Sequence, residues 1–181
     1  EISECLVGSE MCIRDRIQEE NFYKDLTEKL SINNFSFKEL TLENHLQYKN
    51  SIKETLSCLT TVGELSDKTF TAIIQQWIQN KHIYKPIIIV ENESERVIAI
   101  GTLLIELKLI HDGGKVGHIE DIAVNDKYQG KGLGKILLEF LKNVGVLENC
   151  YKVILDCDEK NVEFYNKCGF KRCGVEMDYR S

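Results

Sequence analysis

Gly130, Gly132 and Gly134 stand one residue apart in the run Gln129-Gly130-Lys131-Gly132-Leu133-Gly134-Lys135, directly ahead of an apolar-periodic stretch. With no Cβ in the way, backbone at such a triplet turns tightly and its successive N–H groups converge on one anion. A helix beginning there adds unpaired first-turn amides and the positive end of its dipole. Lys127, Lys131 and Lys135 place charge beside the same loop, so the chemistry written here is the holding of a phosphorylated cofactor. Two better-known phosphate loops are absent: there is no Gly-x-x-x-x-Gly-Lys-Ser/Thr, and the glycine spacing is not Gly-x-Gly-x-x-Gly. The triplet alone also suits a strand-to-helix turn that binds nothing.

The elements that must position this loop follow from periodicity. Phe35 to Leu40 alternates apolar and polar residues and predicts a first strand. Thr41 is expected to cap a helix from about Leu42 to Leu59, with Leu46, Ile52, Leu56 and Leu59 as its apolar stripe. Ser66 is expected to cap a second helix, whose inward stripe is Phe70, Ile73, Ile74, Trp77 and Ile78. Trp77 lies on that stripe and reads as a core residue. After Pro86, Ile87 to Val90 is a buried type of strand, followed by a long strand from Val97 to about Ile110 and a hairpin at Asp112-Gly113-Gly114 into Val116 to Val124. Beyond the glycines, Ile136, Leu137, Phe140, Leu141 and Val144 form the buried face of a helix. Tyr151 to Asp156 is the next strand, returning beside Ile122 by a right-handed crossover. Asn161 to Cys168 predicts a short helix stopped by Gly169, and Phe170 to Arg180 a last strand or hairpin.

A chain of 181 residues with 43% hydrophobic content builds one core, and no Pro/Ser/Gly-rich linker divides it. Residues 1–34 read as an extension whose first 16 or so are foreign to the domain, and 35–181 as the single domain. A net charge of -6 disfavours a nucleic-acid or anionic-membrane surface, so a phosphorylated ligand must be held by local charge. Seven cysteines, an odd number without Cys-x-x-Cys or zinc-ligand spacing, read as reduced thiols of a cytoplasmic protein with no metal. No apolar run reaches the length of a membrane span.

The Gln-x-x-Gly-x-Gly loop with Ile-Ala-Val on its N-terminal side resembles the acetyl-CoA pyrophosphate loop of the GNAT acyltransferase superfamily. Further blocks resemble the eukaryotic glucosamine 6-phosphate N-acetyltransferases within it: Gly117 to Val124, Tyr128 to Lys135, Cys150 to Cys157, Asn161 to Phe170, Val175 to Met177 and Leu59 to Gly63. The resemblance implies a GNAT fold in the α/β (α+β) class: a mixed, mostly antiparallel twisted sheet with splayed central parallel strands and helices on both faces. It also implies acetyl transfer from acetyl-CoA to the 2-amine of glucosamine 6-phosphate by direct attack in a ternary complex, on the route to UDP-N-acetylglucosamine, in a homodimer with shared sites.

By the same resemblance, main chain at Ile122, Ala123 and Val124 receives the pantetheine arm like an added strand, and Gln129 to Lys135 receives the pyrophosphate. Asp156, Asn161 and Tyr165 complete the acetyl-CoA side. The amine attacks as the neutral base, so Glu120, Asp121 and Asp156 are the candidates to hold it and take its proton. Such acids in a strand are also commonly just solvated. An N–H must face the developing oxyanion. Tyr165, a phenol with an unperturbed pKa of about 10, is the candidate to protonate the departing thiolate; packing beside Phe164 and Phe170 is its other reading. The run Lys108-Leu109-Ile110-His111, with Lys152 and Arg180, matches the sugar-phosphate positions, and Thr60 and Tyr151 lie on the sugar side. The resemblance also implies that the C-terminal strand reaches the neighbouring subunit, so that Arg180 serves the site of its own subunit or of the partner. Two rivals remain: a GNAT enzyme for another amine, which needs no anion clamp, and a non-catalytic acyl-CoA-binding module, which would tolerate loss of Tyr165 and the carboxylates.

Overall fold

The computed structural model describes residues 34–179, together with residues 24, 25, 27, 28, 30 and 31. Five strands form one sheet in chain order: β1 (Phe35–Lys38), β2 (Tyr84–Glu91), β3 (Arg96–Leu107), β4 (Lys115–Val124) and β5 (Cys150–Ile154). The first three junctions are antiparallel and the last, β4 with β5, is parallel. That parallel junction requires a crossover, which is α3 (Leu133–Leu147). The other helices are α1 (His45–Leu56), α2 (Asp67–Gln79) and the short α4 (Val162–Lys167).

The sheet buries both faces, so β2 and β3 are apolar at nearly every position. On one face Leu137, Leu138, Phe140 and Leu141 of α3 pack on Ile89, Leu103 and Ile119. Leu30 is fully buried in this cluster beside Phe35. On the other face Tyr48 and Ile52 of α1 and Phe70 and Ile74 of α2 cover Ile88, Val90, Ile100 and Ala123. Trp77 packs against that second cluster and stacks on Tyr84, as its stripe predicts. Ser66 accepts from the Thr69 N–H at 3.1 Å, which is the expected cap of α2.

Several expectations are corrected. α1 starts at His45 behind Asn44, because Thr41 is spent in the preceding turn: its N–H donates to Asn44 Oδ1 and its hydroxyl accepts from Glu43 N–H. Leu46 and Leu59 of the expected stripe are exposed; the inward face is His45, Tyr48, Ser51, Ile52 and Thr55. Those polar members are satisfied, Thr55 donating to the Val97 carbonyl at 3.0 Å and Ser51 accepting from Val97 N–H at 3.1 Å. β3 ends at Leu107, not Ile110, where backbone with positive φ at His111, Asp112 and Gly113 starts the turn. β5 ends at Ile154, not Asp156, and lies beside Lys115–His118, short of Ile122. Phe170 to Tyr179 forms no strand, and its Val175, Met177 and Tyr179 are exposed. The expectation for residues 1–16 lies outside the described residues.

Candidate active site

β4 has two halves. Lys115 to His118 pairs with β3 on one side and β5 on the other, and the β5 pairing stops at His118 opposite Ile154. From Ile119 to Val124 only β3 is alongside. In this second half the register slips: Ile100 faces Ala123 and Thr102 faces Glu120, so Gly101 alone lies opposite Asp121 and Ile122. This is a β-bulge. Asp121 takes the left-handed conformation, φ 53°, that bulges ask of one residue. Gly101 is required there, because a Cβ on it would lie 2.4 Å from Ile122 Cδ1. The strand thus offers a bent stretch of main chain along an open edge, which is the setting for an added extended arm.

The glycine loop continues from that edge. Asn125, itself buried, donates its backbone N–H to the Ile98 carbonyl at 2.9 Å and accepts from Lys127 N–H through Oδ1 at 3.2 Å. Gly130 and Gly132 have φ of 77° and 78°, and nothing lies within 4 Å of where a Cβ would sit on either. Gly132 is the N-cap of α3 with no side-chain cap, so the first-turn amides are left for another acceptor. The side chains around this loop are turned aside. Gln129 Nε2 donates to the Val124 carbonyl at 3.2 Å and to Asp126 Oδ1 at 2.9 Å. Lys131 Nζ lies over the rings of Tyr128 and Phe35 at 4.9 and 5.5 Å, and Lys135 faces Glu139 at 4.0 Å. What the loop presents is main chain, with lysine charge at its margin.

Glu120, Asp121 and Asp156 are brought into one neighbourhood. Burial pushes the Glu120 carboxyl above the usual range, Asp121, Asp156 and Glu176 push the same way, and only His118 opposes them. A carboxyl so placed takes up a proton more readily than a solvated one. Tyr165 stands on α4, half-buried, edge-on to Phe164 at 5.1 Å and Phe170 at 6.1 Å. Burial raises its pKa, with Cys157 and Cys168 adding, so the phenol keeps its proton. α4 is short and is tied to α3 by Lys142, whose Nζ donates to the Cys168 carbonyl at 2.5 Å and lies over Phe170 at 5.7 Å. Asn161 is the N-cap residue of α4, its side chain making no cap bond.

The expected sugar-phosphate residues gather at the opposite end of β4. The His111 and Tyr151 ring centroids are 4.4 Å apart, and Lys152 Nζ is 5.8 Å from the Tyr151 ring. Lys108 pairs with Glu106 at 2.6 Å, and Leu109 and Ile110 are exposed. From Lys115, level with this cluster, to Glu120 is five strand residues, about 17 Å. Lys108 Nζ, by contrast, is drawn back toward the carboxylates, since its partner Glu106 also meets His118 at 2.8 Å. Thr60 is exposed beyond the end of α1, its N–H donating to the Leu56 carbonyl at 3.1 Å, and Arg180 lies outside the described residues.

The sequence pattern of the "Acetyltransferase (GNAT) family" matches residues 50–170. A Candida albicans protein named glucosamine 6-phosphate N-acetyltransferase is 50% identical over 143 residues, 79% of this chain and 93% of that one. A Dictyostelium discoideum protein named glucosamine 6-phosphate N-acetyltransferase 1 is 40% identical over 142 residues, 78% of this chain and 88% of that one. The crystal structure of the Arabidopsis thaliana glucosamine-6-phosphate N-acetyltransferase superposes with a TM-score of 0.75 at 33% identity, covering 81% of this chain and 97% of that one. This chain belongs to the GNAT acetyltransferase family, among its glucosamine 6-phosphate N-acetyltransferases.

GNAT enzymes use acetyl-CoA as co-substrate, and two features here fit it: the unpartnered edge of Ile119–Val124 for an extended amide-bearing arm, and the uncapped α3 start for a pyrophosphate. Sequence reasoning missed His118, whose Nε2 lies 2.8 Å from Glu106 Oε2 and whose charge pulls the Glu120 carboxyl down against its acidic neighbours. Its signal was available, since it stands two residues before Glu120 and so on the same face of the strand. The 460 Å³ cavity between β1, β2, α2 and α3, lined by Phe37, Leu40, Trp77 and Phe140, contains none of the candidate residues. Among the described residues no cluster of His, Cys, Asp or Glu is arranged to hold a metal, and no helix is long and apolar enough to cross a membrane.

Proposed function

We propose that this GNAT enzyme acetylates the 2-amine of glucosamine 6-phosphate to give N-acetylglucosamine 6-phosphate. Acetyl-CoA supplies an activated acyl carbon for the amine to attack. Main chain at Ile122 to Val124 aligns the pantetheine arm, and the amides of Gly130 to Lys135 bind the pyrophosphate. Glu120 takes the amine proton, favoured by its raised proton affinity, while Asp121 and Asp156 hold the ammonium form as it arrives. Tyr165 keeps a proton on its Oη for the sulfur that departs. The observation that carries the acceptor assignment is the 50% identity, over 143 residues, to a relative bearing that activity as its name.

The backbone span of about 17 Å along β4 from the His111–Tyr151 end to Glu120 supports the rest of the reading. Lys108, His111 and Lys152 of one protomer serve the phosphate of the sugar held at Glu120 of its partner, in a homodimer with two shared sites, to which Arg180 contributes. Leu107, Leu109 and Ile110 are exposed apolar residues beside that cluster and suit burial between copies. The free thiols Cys58, Cys150, Cys157, Cys168 and Cys173 suit a cytoplasmic enzyme. The domain is taken as 35–181, with residues 1–34 as an extension.

The test follows thiol release from acetyl-CoA with glucosamine 6-phosphate, and separately with unphosphorylated glucosamine. Turnover is expected with the phosphorylated sugar and lost, by 10²-fold or roughly that, without the phosphate. Equal rates remove the anion clamp, and a monomeric mass in sedimentation removes the shared site.

A further inference from the structure

Thr102 Oγ1 is the one buried side-chain oxygen or nitrogen that lacks a hydrogen-bond partner among the described residues. Thr102 is 5% exposed, and its neighbours on the same face show which way it points. Ile100, two residues earlier, packs under α1 and α2, and side chains two apart in a strand share a face. Across the junction with β4 the partner of Thr102 is Glu120, and that of Leu104 is His118. Cross-strand partners bring their Cβ atoms to about 4.5–5.5 Å. A buried hydroxyl has one proton to give and two lone pairs to fill, and leaving them empty costs free energy. The bulge at Gly101 breaks the regular pairing next to this hydroxyl, and the side chain paired with Thr102, Glu120, reaches the exposed side of the strand.

We propose that Thr102 is a positioning residue for the acetyl transfer: its hydroxyl anchors one water molecule that donates to the Glu120 carboxylate and fixes the orientation in which that carboxylate meets the acceptor amine. The proton still passes from amine to Glu120; Thr102 neither gives nor keeps it. Such a water has at least two polar partners in reach, as a buried water needs. This assignment rests on the function proposed above. The other groups facing Glu120 are Asp121 and His118 on β4, Asp156 after β5 and Glu176 in the C-terminal segment, with Glu106 and Lys108 of β3 linked through His118. None of them changes when Thr102 is replaced.

The test compares the full chain with Thr102→Val, close to it in shape, and with Thr102→Ser, which keeps the hydroxyl. Thr102→Val should lower kcat about tenfold with both KM values within about twofold, and Thr102→Ser should restore it. A hydrogen bond to the ionised carboxylate favours that form, so its loss moves the acidic limb of the kcat profile to higher pH. Val fills nearly the same volume and the bond lost is to water, so Tm should stay close to wild type, which separates this effect from damage to the fold; should Thr102→Val lose its fold, Thr102→Ala is read against the same outcomes. Wild-type kcat and an unmoved limb in Thr102→Val overturn the proposal. If the wild-type chain itself does not turn over glucosamine 6-phosphate, that failure belongs to the proposed function. The Thr102 assignment is then read without substrate, from carboxyl ¹³C titration of Glu120: an upward move in Thr102→Val supports it and an unchanged titration overturns it.

Discussion

β4 is one strand in sequence and two environments in space. Its first half, Lys115 to His118, is hydrogen-bonded on both sides and packed so closely that a Cβ on Gly117 would lie 2.9 Å from Leu103 Cδ1. Its second half loses one neighbour, gains a bulge, and carries the two adjacent acids. The first half does what a sheet does, pairing along both edges with one irregularity between Lys115 and Val116. In the second half the same backbone groups are left for something else, and the exposed Glu120 carries a raised proton affinity from partial burial and from the charges of Asp121, Asp156 and Glu176. A strand can therefore serve stability at one end and recognition at the other, with the change made by a single register slip.

The comparison predicts which substitutions touch turnover and which touch stability. The largest effect falls in the second half. Glu120→Gln should lower kcat by about 10²-fold or more, the range for loss of a general base, with acetyl-CoA affinity retained in calorimetry. Its effect on stability has a definite sign. The Glu120 pKa is raised in the folded protein, so ionisation opposes folding, and the contribution of the wild-type side chain is fully present at low pH and lost as pH rises through its folded pKa. Glu120→Gln should therefore melt at or above the wild-type Tm at neutral pH, the difference shrinking on acidification. A lower Tm at neutral pH would mean that the open half is held together by the carboxylate it carries.

Next come two glycine substitutions that separate the halves. Gly101→Ala presses on Ile122 and should flatten the bulge, lowering kcat/KM about tenfold. Gly145→Ala sits on α3, where the new Cβ would be 2.5 Å from Val153 Cγ2, beneath the doubly paired half. It should cost about 1–2 kcal/mol of stability, overpacking less the gain in helix propensity, and leave kcat unchanged. Finding the two effects exchanged would break the division. The smallest effect is Tyr165→Phe: the packing against Phe164 and Phe170 persists, so Tm and acetyl-CoA affinity should hold while kcat drops several-fold. An unchanged kcat removes the phenol from the reaction.

Much of this was legible in the chain. The glycine triplet, the capping Ser66 and the unbroken apolar runs of β2 and β3 speak through local rules of backbone and burial, and the structure follows them. The α1 stripe did not speak, because its inward face is built from Ser51, Thr55 and His45, whose hydrogen bonds to Val97, Leu42 and Thr71 exist only after folding. The end of β5 was overrun for the opposite reason. Tyr151 to Asp156 has strand propensity throughout, yet pairing needs a partner, and β4 turns away at His118. At the site, the adjacency of Glu120 and Asp121 on β4 is local and readable. The backbone separation of His111 from Glu120 is not, since only the hairpin register reveals how far apart the intervening residues have been carried. Lys131 likewise reads as a phosphate ligand in sequence, while its ammonium rests on Tyr128 and Phe35.

The bond from Lys142 to the Cys168 carbonyl joins α4 to the middle of α3. A helix of six residues has no independent stability in water, so the angle at which Tyr165 is presented is dictated by its neighbour. Phenol and glycine cradle are thus carried on a single stiff beam, and the spacing between the two ends of a bound thioester is gauged by the length of α3. The connecting residues 157–160, between Asp156 and Asn161, are released from that duty.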